Sequence, residues 1–286
     1  MSRAGGRGLG AHVARGVRHA RWTARSRLAE HPAYLPVARR RHGEAVVSES
    51  TEVVIDGFTR SASTFAVVAF QLAQTRPVRV GHHLHAAGQI IQAVRLGVPV
   101  LLTVRPPEDT VLSLVVREPY VTIPQGLHAY ARFHERLLDD RDGMVVADFA
   151  EVTERLERSI ARVNERFGTG FAAPELTPER RREAFDLIEM RSRRPPWRGA
   201  IHDFLTGLVP YAELERRAEA DPAVTAAVAE DRAARPSDHK ERRKDALRAA
   251  YHGRAHARLR ERAEDLYATF AAAATCELAG KSSQLM

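Results

Sequence analysis

Cysteine is almost missing: Cys276 is the only one in 286 residues. No intrachain disulfide can form, and a reducing, cytoplasmic setting fits. Cys and His show no zinc-finger spacing, so no metal is expected. Lysine is nearly missing too. Lys240, Lys244 and Lys281 are the only three among 44 basic residues, and the rest are Arg. The guanidinium fork suits oxyanions better than a point charge does. A formal net charge of +8 admits an anionic ligand, a nucleic-acid face or a merely solvated surface. No apolar run approaches the roughly 18 residues of a membrane helix, so no transmembrane segment is expected. The stretch 1–27 lacks the unbroken apolar centre of a secretory signal.

The composition that remains is that of an ordinary globular chain, 44% hydrophobic and 28% charged. Residues 1–45 read as a basic N-terminal arm, in which 1–27 is a flexible terminus by preference, with a basic amphipathic helix or a weak contact to an anionic surface as the alternatives. An α/β core follows over 46–171. Short apolar runs at 53–57, 79–83, 98–104 and 144–147 read as buried parallel strands. Helical patterns fill 64–74, 87–96, 108–116, 126–138 and 151–167. Gly97 closes the second of these. Strands alternating with helices predict a parallel sheet of about four to five strands flanked by helices, resembling P-loop NTPases. Beyond 171 the pattern is helical and highly charged, with a basic break at 191–198, a basic linker at 231–244 and one long helix at 248–274. Residues 172–286 are expected to pack on the core as a helical lid or layer.

Residues 53–65, VVIDGFTRSASTF, run from strand through loop to helix. Unpaired N–H groups and a positive helix end meet in such a loop, which is an anion site. Arg60 adds a charged fork, and Ser61, Ser63 and Thr64 add hydroxyls. An ordinary turn with Ser and Thr capping the helix has the same pattern. Arg105 stands at the end of the clearest strand, where α/β sheets bind ligands, and Ser113 lies two helical turns beyond it. Three histidines, His82, His83 and His85, follow the second strand, and a neutral imidazole is a good base near neutral pH. Their plain alternative is a role in capping or on the surface. Asp148 reads as a helix cap. Glu108 and Asp109 read as acids complementing a helix dipole. Trp197 and Tyr211 are candidate walls of an acceptor pocket, although Trp is more often a core or interface residue.

Together these stretches resemble the sulfotransferases that use 3′-phosphoadenosine 5′-phosphosulfate (PAPS). The first family pattern, Gly-x-Pro-Arg/Lys-Ser-Gly-Thr/Ser-Thr, is similar to Gly57-Phe58-Thr59-Arg60-Ser61-Ala62-Ser63-Thr64. The second, Arg-x-Pro-x-Asp with Ser eight residues after the Arg, is matched by Arg105, Pro107, Asp109 and Ser113. The stretch MVVADF and the helix ending RFGTGF resemble a third, looser element. The resemblance covers about residues 53–171. Thr59 replaces the family's Pro, Ala62 its Gly, and Gly81 the Lys that precedes its His. The family's C-terminal basic segment has only candidate counterparts, at 191–194 and 240–244.

The resemblance implies PAPS as co-substrate, with no metal. The 60–64 loop, through Ser61, Ala62, Ser63 and Thr64, would hold the 5′-phosphate. Arg60 would stabilise charge on the bridging oxygen, and Arg105 with Ser113 would hold the 3′-phosphate. His83 is the first choice of base, then His85, then His82. The acceptor would be a small molecule, lipid or carbohydrate carrying a hydroxyl or amine, and no nucleic acid is expected. A homodimer is compatible. The alternatives are a P-loop kinase-like phosphotransferase, which would need the missing Gly-Lys-Ser/Thr, and a non-catalytic anion- or nucleic-acid-binding relative.

Overall fold

The structure is a computed structural model, and it describes residues 5–193, 195–220 and 237–279. Strands β1 (Val53–Gly57), β2 (Val80–His82), β3 (Val100–Val104) and β4 (Val145–Asp148) form one all-parallel sheet in the order β2-β1-β3-β4. The expected α/β class is what the chain adopts. Ile55 sits between His82 and Leu101, and Leu102 pairs with Val146.

The strand sequences explain why the sheet is covered on both sides. Val54, Val100, Leu102, Val104 and Val146 enter one apolar core. Their neighbours Val53, Ile55, Leu101, Val145 and Ala147 enter the other. Side chains alternate across a strand, so a strand with two dry faces reads as a continuous apolar run.

The first core is closed by α4 (Ala87–Arg95), α5 (Pro107–Arg117), α6 (Ile123–Glu135) and α13 (Ala257–Ala279). The second is closed by α3 (Ser63–Ala73), α8 (Leu156–Phe167), α9 (Pro178–Arg193) and α10 (Pro195–Leu205). The C-terminal part thus divides between the two faces. Leu214 of α11 (Tyr211–Ala220) joins the second core, while α12 (Asp238–Tyr251) packs on α5. Trp197 is buried in the second core, as its residue type favours. Arg194, Lys281 and residues 231–236 lie outside the described residues.

Three local readings differ from the structure. Residues 5–28, expected as a flexible terminus, form the helix α1 (Gly5–Leu28), with α2 (Leu35–His42) after it. The α1 helix is fixed by partners about a hundred residues away. Arg15 donates to the Pro119 carbonyl at 3.0 Å, and Gln125 Nε2 donates to Thr23 Oγ1 at 2.6 Å. No local pattern displays such contacts. The helix expected at 151–167 is split by Arg155, whose φ of −143° is not helical, into α7 (Phe149–Glu154) and α8. Asp148 caps α7, accepting the Glu151 N–H at 2.7 Å. The helix expected at 248–274 is interrupted at Gly253, where ψ reaches 146°.

The β2 edge of the sheet is covered rather than open. The Thr206 carbonyl accepts the Val80 N–H at 3.4 Å, and Gln71 Nε2 donates to both Val78 O and Leu205 O at 2.7 and 3.1 Å. The end of α10 therefore occupies the hydrogen-bonding row that would otherwise invite another strand.

The strand order places β1 beside β3, while α3 and α5, which follow them, go to opposite faces. Such a switch point leaves a crevice at the carboxyl ends of the two strands. The 58–62 loop and Arg105 both lie there.

Candidate functional site

Gly57 ends β1 against β3 so closely that a Cβ would stand 2.2 Å from the Thr103 carbonyl oxygen. The loop then turns tightly through Arg60 at φ 72° and Ala62 at φ 68°. Ala62 is the N-cap of α3 and holds a left-handed conformation that glycine would take freely. The loop is pinned to β3 by Ser61 Oγ and Thr103 Oγ1, 2.8 Å apart, both buried. Ser61 therefore shapes the loop with its hydroxyl and does not present it.

What the loop presents is backbone. The N–H groups of Ala62, Ser63, Thr64 and Phe65 have no acceptor among the described residues. Four free amides at the start of an eleven-residue helix carry the positive end of its dipole.

Arg60, Arg105 and Ser113 converge on the same place. Arg60 Nε donates to Ser113 Oγ at 2.9 Å, and Arg105 Nη1 donates to the Arg60 carbonyl at 3.3 Å. The Arg105 guanidinium lies 4.1 Å from the Phe149 ring centroid, and its buried Nε has no partner. Stacking leaves the edge of the fork free for an oxyanion. Tyr130 positions this end of β3 by donating its hydroxyl to the Arg105 carbonyl at 2.8 Å.

The cations are poorly neutralised. Burial, with Arg117 and Arg105 nearby, pushes Arg60 down to about 10. Burial also lowers Arg105, against the pull of Asp109 and Glu241. Asp109 reaches Arg105 only at 3.7 Å and is itself largely exposed. Arg60 has no carboxylate within ion-pair distance among the described residues. An anion entering here gains two desolvated guanidinium groups and four free amides.

Lys244, one of the candidate C-terminal basic residues, is nearly buried on α12 and bonded to Glu241 at 2.8 Å. Glu241 in turn acts on Arg105. The 240–244 segment thus comes up to the Arg105 side of the site.

The histidines stand on the other side of the loop. His83 and His85 are themselves left-handed, with φ 61° and 52°. The cause is Asp56, which is fully buried at the end of β1. Its Oδ2 accepts the N–H groups of Leu84 and His85, both at 3.1 Å, and Gln89 Nε2 at 3.3 Å. Its Oδ1 accepts the Gly57 N–H at 2.9 Å. The 83–85 turn wraps its amides around a carboxylate as a nest.

Among the described residues four non-glycine positions have positive φ, and all belong to this region: Arg60, Ala62, His83 and His85. Strain of this kind persists only where the surroundings fix it.

The two exposed-side histidines differ in their chemistry. His83 Nδ1 is 3.2 Å from Thr64 Oγ1, which ties the turn to the first residues of α3. Burial, with His85 and Arg191 nearby, puts His83 well below the usual imidazole range. His85 Nδ1 is 3.0 Å from the Gly57 carbonyl and 3.3 Å from Asp56 Oδ1. Both partners are acceptors, so Nδ1 carries a proton. The two rings are 4.9 Å apart. His82 is fully buried, and its Nε2 has no partner.

Sequence reasoning passed over Asp56, although an acid closing a fully buried apolar run must find donors. That burial was itself the available signal. Phe149 and Thr103 gave none, being ordinary residues of a helix start and a strand. An open cavity of about 340 Å³ elsewhere is lined by Glu179, Glu183 and Asp186 against Arg182 alone, with Tyr211, a balance of charge that disfavours a phosphate.

No protein-family model matches this chain, and neither does any curated protein or solved structure.

Proposed function

We propose that the chain is a sulfotransferase that uses PAPS and transfers to a hydroxyl or amine acceptor. The observation that carries the reading is the convergence of Arg60, Arg105 and Ser113 beside the free amides of Ala62–Phe65. Those residues come from two separate motifs, 45 positions apart, and the β1–β3 switch point brings them together.

The residues fit a co-substrate with two phosphate groups. The amides of 62–65 suit the 5′-phosphate, and Arg105 with Ser113 suits the 3′-phosphate. Bound there, PAPS would supply an activated sulfuryl group; the chain supplies the positioning and the charge. Arg60 leans on Ser113 in this structure, a position that would set its guanidinium between the two phosphates of a bound co-substrate. From there it can lower the cost of charge developing on the leaving oxygen.

The base is best sought in His85 with Asp56. Its Nδ1–H faces a buried carboxylate and a carbonyl, which fixes the ring and leaves Nε2 to take the acceptor's proton. His83 is held to Thr64 and its basicity is depressed, which suits a positioning role at the loop.

Calorimetry tests this reading. Adenosine 3′,5′-bisphosphate should bind without Mg²⁺ and in preference to ATP. Removing the Arg105 charge in Arg105→Ala should weaken binding about tenfold to a hundredfold, the range for a charged hydrogen bond to phosphate. No bisphosphate binding, or ATP preferred once Mg²⁺ is added, would overturn it in favour of the kinase-like or non-catalytic alternative.

A further inference from the structure

A second cationic cluster stands beside the site, at the β2 end of the sheet, and the transfer step does not use it. His42 closes α2, His82 ends β2, His202 lies on α10, and Arg191 stands near the end of α9. Four separate elements meet here. The His202 ring faces the His42 backbone. The His82 ring is 6.1 Å from that of His202 and 6.3 Å from that of His83.

Two features of the cluster suit an oxyanion. His82 is 1% exposed, and its Nε2 has no hydrogen-bond partner. Arg191 is half-buried, yet it makes no hydrogen bond or ion pair among the described residues. A partly desolvated guanidinium with no protein partner is costly, and an anion beside it would lower that cost.

The surrounding charges agree. Burial depresses His42, to about 4, and His82, His83 and His202 as well, and the Arg191 charge adds to it in each case. Arg25 and Arg41 also face His42, and Arg198 faces Arg191. Against these cations stand Asp203, beside His202, and Asp56, which is already held by five donors behind His85.

We propose that Arg191, with His42, His82 and His202 behind it, forms a binding site for an oxyanion, and that this oxyanion is an acidic group of the acceptor. The ligand class is therefore a carboxylate, sulfate or phosphate ester that also carries the hydroxyl or amine to be modified. Arg191 provides the permanent charge. The histidines are neutral when the site is empty and take up protons when the anion arrives. That the anion belongs to the acceptor rests on the transferase reading; the oxyanion site itself does not. His83 and His85 lie between this cluster and the loop, so an acceptor anchored at Arg191 would place its nucleophile near the His85 imidazole.

Inorganic sulfate is the probe, since it stays a dianion from pH 5.5 to 7.5. The phosphate loop is first stripped of its two side-chain charges by Arg60→Met with Arg105→Met. In that background sulfate should still bind, about tenfold tighter at pH 5.5 than at pH 7.5, because tightening follows proton uptake. Titrations in two buffers of different ionisation heat should show that uptake directly. Adding Arg191→Gln should weaken sulfate binding at least about tenfold with the thermal melting curve unchanged, while Arg191→Lys keeps most of it. Absence of sulfate binding in that background, binding that ignores Arg191→Gln, or binding without pH dependence would each overturn the proposal. Bisphosphate binding to the wild type is read separately. If it fails while sulfate still needs Arg191, the transferase reading falls and the oxyanion site stands.

Discussion

Asp56 and His85 are joined twice. The Asp56 Oδ2 accepts the His85 backbone N–H at 3.1 Å, and its Oδ1 faces the ring Nδ1 at 3.3 Å. One carboxylate sets both the backbone turn and the ring's tautomer. Asp56→Asn replaces an acceptor oxygen by an NH₂ that points at other donors. It should cost about 1–3 kcal/mol of stability. The Leu84 and His85 amides should lose their protection from hydrogen exchange. Nitrogen-15 NMR of the wild type should show His85 protonated at Nδ1. Unchanged amide protection in the variant would show that the turn holds its shape without the carboxylate.

Ala62 carries a backbone cost that glycine would not. A left-handed conformation disfavours an L-residue by about 1–2 kcal/mol, and glycine's extra freedom in the unfolded chain returns part of that. Ala62→Gly should therefore stabilise the fold by about 0.5–1 kcal/mol and raise Tm by about 2 °C. Ala62→Val should do the reverse, because a branched side chain suits that conformation least. Differential scanning calorimetry of the pair decides. A lower Tm for Ala62→Gly would mean that the methyl group is a needed contact.

That same position shows how far the sequence could be read. The strands were legible because each is dry on both faces, and the Gly57 loop because a strand, a glycine and small hydroxyl residues stand in order. The nearness of Arg105 to Arg60 followed from placing both at strand ends. The histidines were legible as a group, but the Asp56–His85 pairing was not. His85 gains its carboxylate from β1, 29 positions earlier, and no local pattern reports that pairing. The helix α1 was hidden for the same reason, since its partners are Pro119 and Gln125. Ser61 was legible as a loop hydroxyl, but the inward turn toward Thr103 depends on the close β1–β3 approach.

Gly207 tests the covered edge of the sheet. Its φ is +72°, and a Cβ there would lie 1.9 Å from the Val78 carbonyl oxygen, a backbone atom that cannot step aside. Gly207→Ala should cost about 3 kcal/mol, from strain and lost docking together. The loss should come with faster exchange at the Val80 amide, whose acceptor is Thr206. Urea unfolding measures the first effect and hydrogen exchange the second. A large loss of stability with Val80 still protected would separate the turn from the edge it covers.

Acid should weaken the fold well above the range where carboxylates titrate. His134 is 1% exposed among the rings of Phe58, Tyr130, Phe133 and Phe270. Its Nδ1 is 2.8 Å from the Tyr130 carbonyl, so Nδ1 is the donor and the buried Nε2 is a bare lone pair. Burial pushes its pKa from 6.5 down to about 4. The unfolded chain thus binds a proton that the folded chain refuses. The resulting stability is complete above about pH 6.5, falls as pH drops and is gone below about 4, amounting to about 3 kcal/mol. His42, His128 and His202 shift in the same direction and add to the slope. Glu52, held low by its hydrogen bond to Arg76, loses its contribution only below about 4.5, beneath that window. The urea midpoint should therefore fall between pH 6.5 and 4.5, and His134→Leu should flatten that part of the profile while leaving the drop below it. A wild-type midpoint that is level across the window would mean that these imidazoles do not keep their neutral form in the folded chain.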